Sequence, residues 1–316
     1  LATPNGSMGG AGTNTAAVVF GGQPSGITAA TFEFNTSVAI GAWSTGGDLN
    51  TARKSMGGAG IQTAALGFGG NPGTKNETET YNGTAWTEVN NLTTARGKLG
   101  GAGTQTAALA FGGNSPAKNE TETWNGTNWT EVNNLGTARY GLAGAGTQTA
   151  ALAFGAYTPP PTVAFTELWN GTNWTEVNDM NTGRGYLGGV GATNTAVLGF
   201  GGYTRSPASP VAITELWNGT NWTEVGDMNA AKRALAGAGI STAALGFGGT
   251  TSTANVGQTE TWNGTSWSEV NDLNTARSRL AGTGTNSSAL AIGGTPYTAA
   301  TEEWSIPGTI TKTLTT

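Results

Sequence analysis

The stretch WNGTNWTEVNNLGTAR, Trp124 to Arg139, is followed by a close copy, WNGTNWTEVNDMNTGR, at Trp169 to Arg184, and echoes of it run along the chain. Repeats are sought first because a missed period gives the wrong architecture. The tryptophan that opens the second half of the stretch recurs at Trp43, Trp86, Trp129, Trp174, Trp222 and Trp267, at intervals of 43, 43, 45, 48 and 45 residues. Three other segments share that period. A small-apolar run closed by a Gly pair occurs as AAVVFGG from Ala16, AALGFGG from Ala64, AALAFGG from Ala107, AVLGFGG from Ala196, AALGFGG from Ala243 and SALAIGG from Ser288, with a remnant, AALAFGA, from Ala150. A Thr/Glu/aromatic segment follows each, as TFEFN at Thr31, TETWN at Thr121 or TEEWS at Thr301, and a Gly/Ala-rich stretch such as LAGAG follows each Arg. Four short segments bounded by turn signals, in units of about 40 to 50 residues, predict the four strands of a β-propeller blade.

Steric crowding orders the strands. Those nearest the axis are hemmed in by their counterparts, which places the Gly/Ala-rich stretch innermost as strand a. In strand b, Leu109 and Phe111 point one way and Ala108 and Ala110 the other, so one blade's bulky face nests on the small face of the next. TETWN is then strand c, and strand d starts at the Trp. The Asn-Gly between strands c and d supplies the positive φ of a tight hairpin. It also creates N-x-S/T sequons, among them Asn82, Asn125 and Asn170, which matter only in a secretory setting.

The order Arg, apolar strand, Gly-Gly, aromatic, Trp and again Arg resembles the kelch repeat across essentially the whole chain, although its Thr/Asn richness and short Asn-Gly connection depart from the usual kelch sequence. Counting Gly pairs and c strands predicts an all-β, seven-bladed kelch-like propeller in one domain, with blades at approximately 1–50, 51–93, 94–136, 137–181, 182–229, 230–274 and 275–316. LATPNGSMGGAG at Leu1 matches LNTARKSMGGAG at Leu49, so the chain is expected to start at a blade boundary and blade one to be complete within residues 1–50. The seventh blade is expected to take its outer strand from the tail GTITKTLTT, Gly308 to Thr316.

Composition narrows function. The 316 residues include 53 Gly and 11 Trp, with 36% hydrophobic and only 10% charged residues, which suits a folded β-rich chain rather than long helices or disorder. With no Cys and no His, disulfides, thiolate or imidazole metal sites and every His-based triad are excluded. A formal charge of −5 without Lys/Arg clusters along the sequence argues against nucleic acid as a partner. No apolar run approaches the roughly 20 residues of a membrane span, and residues 1–20 lack the features of a signal peptide. No cofactor is implied. A kelch-like copper radical oxidase needs His and Cys, and the sialidase Asp-box pattern is missing.

Glu122, Glu131 and Arg139 recur as Glu167, Glu176 and Arg184. Paired carboxylates suit a glycosidase, but an active site is singular and these are repeated, so a structural network with Arg as the tie is expected, and no catalytic residue. A second reading sets a sugar between blades on Trp129, Glu131, Arg139, Trp174, Glu176 and Arg184, which match propeller-lectin sites in residue type only.

The chain also differs from itself. Its b–c loops vary from NPGTKN at Asn71 to YTPPPTVAF at Tyr157 and YTRSPASPVAI at Tyr203. These loops and the d–a connections emerge on one face of a propeller, where loops on a rigid scaffold carry recognition. Tyr157, Tyr203, Arg205 and Tyr297 are the candidate contacts. Units of the type WNGTxWTEVNDLNTAR resemble repeat proteins of tailed bacteriophages. That resemblance implies a non-enzymatic binding or structural component of a virion surface or tail, partnered by other virion proteins and by a host-surface glycan or protein. A secreted or cell-surface lectin is the alternative.

Overall fold

The computed structural model describes residues 40–307, apart from 115 and 159–161, together with the backbone of strands Gly9–Gly12, Ala16–Phe20 and Thr31–Asn35. These three strands form an antiparallel sheet within a unit that comprises Leu1–Ile40 and Ile306–Thr316. The second unit, Gly41–Ser305, is an all-β propeller of six four-stranded antiparallel blades.

In blade II the strands a to d are Gly100–Gly103, Ala108–Phe111, Thr121–Trp124 and Trp129–Val132, paired in that order. The same order holds in blade I (strand a at Gly57–Ile61), blade III (Ala143–Gly146), blade IV (Gly188–Thr193) and blade V (Ala236–Ile240). Blade VI consists of Ala281–Gly284, Ser288–Ile292 and Thr301–Ser305, and its outer strand is Ala42–Thr45.

Two expectations are corrected here. Among the described residues there are six four-stranded blades, not seven, and the last of them is closed by a strand from near the start of the chain. Trp304 stands opposite Trp43 in the same register as Trp124 opposite Trp129. The Trp43 strand therefore does not complete a blade within residues 1–50. The physical reason lies in its connection: four residues, NGTN, separate Trp124 from Trp129 in a tight hairpin, whereas the eight between Phe34 and Trp43, NTSVAIGA, lack the Asn-Gly signal that would direct Trp43 onto the neighbouring c strand. The tail Gly308 to Thr316 lies outside the described residues.

The nesting of blades follows the alternation in strand b. Leu66 and Phe68 of blade I pack on Ala108, Ala110, Trp124 and Trp129 of blade II, and Leu109 and Phe111 of blade II on Ala151, Ala153 and Trp169 of blade III. The cycle closes where Leu290 and Ile292 of blade VI meet Ala65, Tyr81 and Trp86 of blade I. Each strand-d Trp also reaches back one blade. Trp129 lies edge-on to Phe68 at 5.0 Å, and its Nε1 donates to Thr78 Oγ1 at 3.0 Å. Trp43 does the same to Phe247 and Thr259, so the closing joint repeats the other interfaces. Gly is required on the inner strand because a Cβ at Gly101 would stand 2.8 Å from the Phe68 ring of the preceding blade.

Each blade begins at a buried cation. Arg96 donates to Glu122 on strand c (3.1 Å) and to the Glu120 carbonyl (2.6 Å), while the Thr93 amide donates to the other oxygen of Glu122. The same clamp joins Arg53 to Glu79, Arg139 to Glu167, Arg184 to Glu215, Lys232 to Glu260 and Arg277 to Glu302. It ties the linker leaving one blade to strand c of the next. Burial pulls the Arg96 guanidinium below its ordinary pKa, against the opposing pull of Glu122. Removing the carboxylate would strand that charge. Glu122→Ala is therefore expected to cost about 3–5 kcal/mol, read as a lower urea midpoint, and Glu131→Ala on the exposed side of strand d less than about 0.5 kcal/mol; equal losses would refute the clamp.

Candidate functional site

Immediately after each clamp cation comes a dipeptide whose combination is different in every blade: Lys54-Ser55, Gly97-Lys98, Tyr140-Gly141, Gly185-Tyr186, Arg233-Ala234 and Ser278-Arg279. The first of each pair bridges to the residue that follows the Gly pair of its own blade, giving Lys54 with Asn71, Gly97 with Asn114, Tyr140 with Tyr157, Gly185 with Tyr203, Arg233 with Thr250 and Ser278 with Thr295. The Gly pair makes the approach possible. Gly112 and Gly113 hold φ of +64° and +117°, and a Cβ at Gly112 would lie 2.8 Å from the Arg139 carbonyl oxygen.

The second residue of each pair forms a closed ring about the axis. The amide of Lys98 donates to Ser55 O, Gly141 to Lys98, Tyr186 to Gly141, Ala234 to Tyr186, Arg279 to Ala234 and Ser55 to Arg279, each at 2.7 or 2.8 Å. All six are left-handed, with φ between 54° and 63°. Beneath them Met56, Leu99, Leu142, Leu187, Leu235 and Leu280 form a buried apolar collar. Above the ring opens a cavity of about 500 Å³, lined by Tyr140, Tyr157, Tyr186, Tyr203, Arg205, Arg233 and Arg279 with smaller polar residues.

The lining side chains organise one another. The rings of Tyr140, Tyr157 and Tyr186 lie 5.3 to 6.4 Å apart, a mutual cluster. Lys98 Nζ sits 4.8 Å from the centre of the Tyr140 ring, and the Arg233 guanidinium 4.4 Å from that of Tyr203. Arg205, on a short hairpin of Tyr203–Arg205 with Ala208–Pro210, donates to the Tyr157 hydroxyl. Burial pushes the Tyr186 hydroxyl up to about 12. Lys98 is held below its ordinary value by burial first, then by the charges of Arg279 and Lys54.

Of the candidate contacts, Tyr157, Tyr203 and Arg205 line this cavity. Tyr297 is not among its lining; it is 52% exposed, with the Lys54 ammonium 4.0 Å from its ring centre. Lys98, Tyr140, Tyr186, Arg233 and Arg279 were not foreseen. The sequence signal was the changing dipeptide between each clamp cation and the following Leu or Met.

The inter-blade set is not brought together. Trp129 is only 5% exposed and is occupied by Phe68, Trp124 and Thr78. Trp174 is partly buried against Phe111 and Trp169. Arg139 and Arg184 are buried on Glu167 and Glu215, whereas Glu131 and Glu176 are exposed on the outer strands. No model of a known protein family matches the chain, and no curated protein matches it in sequence.

The tyrosines provide a direct check. Tyr186 and Tyr81 ionise at about 12 when folded, above the ordinary value of 10, so unfolded chains lose these protons first. Their contribution to stability is present below pH 10 and lost as the pH rises towards 12. An absorbance titration of the native protein is expected to show late-ionising tyrosines, and Tyr186→Phe to remove one; an unchanged titration would refute the burial of Tyr186.

Proposed function

We propose that this chain is a non-enzymatic recognition module, a kelch-like propeller carried on a bacteriophage virion surface or tail, and that it engages its ligand at the axial mouth. One observation carries the binding part of this reading. In blades III to VI the positions that differ between blades supply the lining of one cavity, while the frame around it is repeated in all six. Packing alone would favour the same residue at equivalent positions. Their divergence towards Tyr and Arg suits recognition, since these are the residue types that dominate binding energy at interfaces.

The virion assignment draws its support from the Thr/Asn/Gly-rich unit and its likeness to phage repeat proteins. The kelch-like assignment rests on the Arg, Gly-Gly, aromatic and Trp order. In this reading the mouth faces the host envelope and the rest of the propeller meets other virion proteins. The tyrosine cluster favours a second reading, a secreted or surface carbohydrate-binding propeller, with its ligand in the same mouth rather than between blades.

Binding of the labelled chain to host-envelope preparations and to a glycan array tests this. The double change Tyr203→Ala with Arg205→Ala is expected to weaken binding by at least about tenfold, the scale of losing one anchor residue. Glu131→Ala with Glu176→Ala is expected to leave it unchanged. Binding that is lost with the outer-strand pair and kept with the mouth pair would overturn the assignment.

A further inference from the structure

Among the described residues, the cations divide into those held in ion pairs and those that are not. Six cations are locked into the linker clamps, and Lys75 and Lys118 pair with Glu77 and Glu120 on strand c or its approach. The other five form no ion pair among the described residues: Arg205, Arg233 and Arg279 line the cavity, Lys98 stands 4.8 Å from the centre of the lining Tyr140 ring, and Lys54 packs on Tyr297 outside the lining. The chain as a whole carries −5, yet among the described residues no Asp or Glu lines the cavity.

Holding like charges together in a partly enclosed space is unfavourable; Lys98 is held below its ordinary value first by burial, and the charges of Arg279 and Lys54 add their repulsion. An arriving anion relieves it without any rearrangement of the frame, which the backbone ring and bridges hold in place. The Tyr140 and Tyr186 hydroxyls, protonated at neutral pH and pushed further up by burial, are able to donate.

We propose that the ligand of the mouth is an acidic carbohydrate, with a carboxylate or sulfate received among Arg205, Arg233 and Arg279. This rests on the mouth being the ligand site and adds the chemical class. The cavity, at about 500 Å³, suits a short oligosaccharide rather than a long chain. Tyrosine faces with hydroxyl tips fit the C–H faces and hydroxyls of sugars. An extended peptide captured by strand addition needs an open backbone edge. Around the mouth, the linker and loop backbones are already committed to the six bridges and the ring.

Calorimetric titration of the full chain tests this with galacturonate trisaccharide, a sulfated heparin disaccharide, maltotriose as the neutral control and a tetraglutamate peptide. At least one acidic saccharide is expected to bind, and more weakly as salt is raised from 50 to 300 mM by about tenfold. Arg233→Gln with Arg279→Gln is expected to reduce that binding by about tenfold or more, with a melting temperature no lower than the parent's because repulsion is relieved. Binding of neither acidic saccharide at millimolar concentration, or equal and salt-insensitive binding of maltotriose, overturns the acidic class. Preference for the peptide overturns the carbohydrate. A saccharide whose binding falls with Tyr203→Ala but not with the arginine changes refutes the anion while leaving the mouth as the site. Acidic-saccharide binding indifferent to every mouth variant removes both.

Discussion

A buried cation held by a carboxylate on strand c determines where each blade begins, and the rest of the molecule is placed from it. Arg96 on Glu122 pins the linker leaving blade I to blade II. The two residues that follow then have no freedom to wander: Gly97 must bridge to Asn114, and Lys98 must donate to Ser55. Repeated six times, this brings the variable side chains to one axis. The clamp need not be a large net source of stability. Desolvation pulls Arg96, Arg184 and Lys232 below their ordinary values despite the adjacent carboxylates, so much of the Coulomb energy offsets burial. What it provides is position, the use for which buried ion pairs are best suited.

The ring above the collar shows the same exchange of energy for geometry. Five non-glycine residues hold a left-handed conformation that costs about 1 kcal/mol or more each. Every one donates a short backbone hydrogen bond to its neighbour, and the cycle has no free end. Backbone groups therefore do the closing, and the side chains take no part in it. That division explains how Lys98, Tyr186 and Arg279 can stand at equivalent positions to Ser55, Gly141 and Ala234.

Much of this was legible in the sequence because its period exposes local rules. The strand order, the bulky-on-small nesting of Phe68 on Ala108 and Ala110, the Asn-Gly turns and the structural use of Arg with Glu all follow from residue type and spacing. The blade count did not follow, because the repeat contains the same segments whichever c strand a d strand joins. Only the long connector before Trp43 marks the exchange, and its meaning depends on partners far away in the chain. The candidate site was half visible. Tyr157, Tyr203 and Arg205 lie in loops that visibly vary, whereas Tyr140, Tyr186 and Arg233 hide within otherwise uniform linkers. Tyr297 varies like the others but packs with Lys54 outside the cavity lining.

The left-handed ring also sets the alphabet from which the mouth can be written. At φ near +55° a β-branched side chain is strained and proline cannot be accommodated, so Val, Ile, Thr and Pro are disfavoured at six positions. Most other residue types can occupy those positions while their amides keep the circle closed. A single codon change there alters the chemistry of the mouth and leaves the architecture as it was. Such a molecule can change the face it presents at the axis one residue at a time.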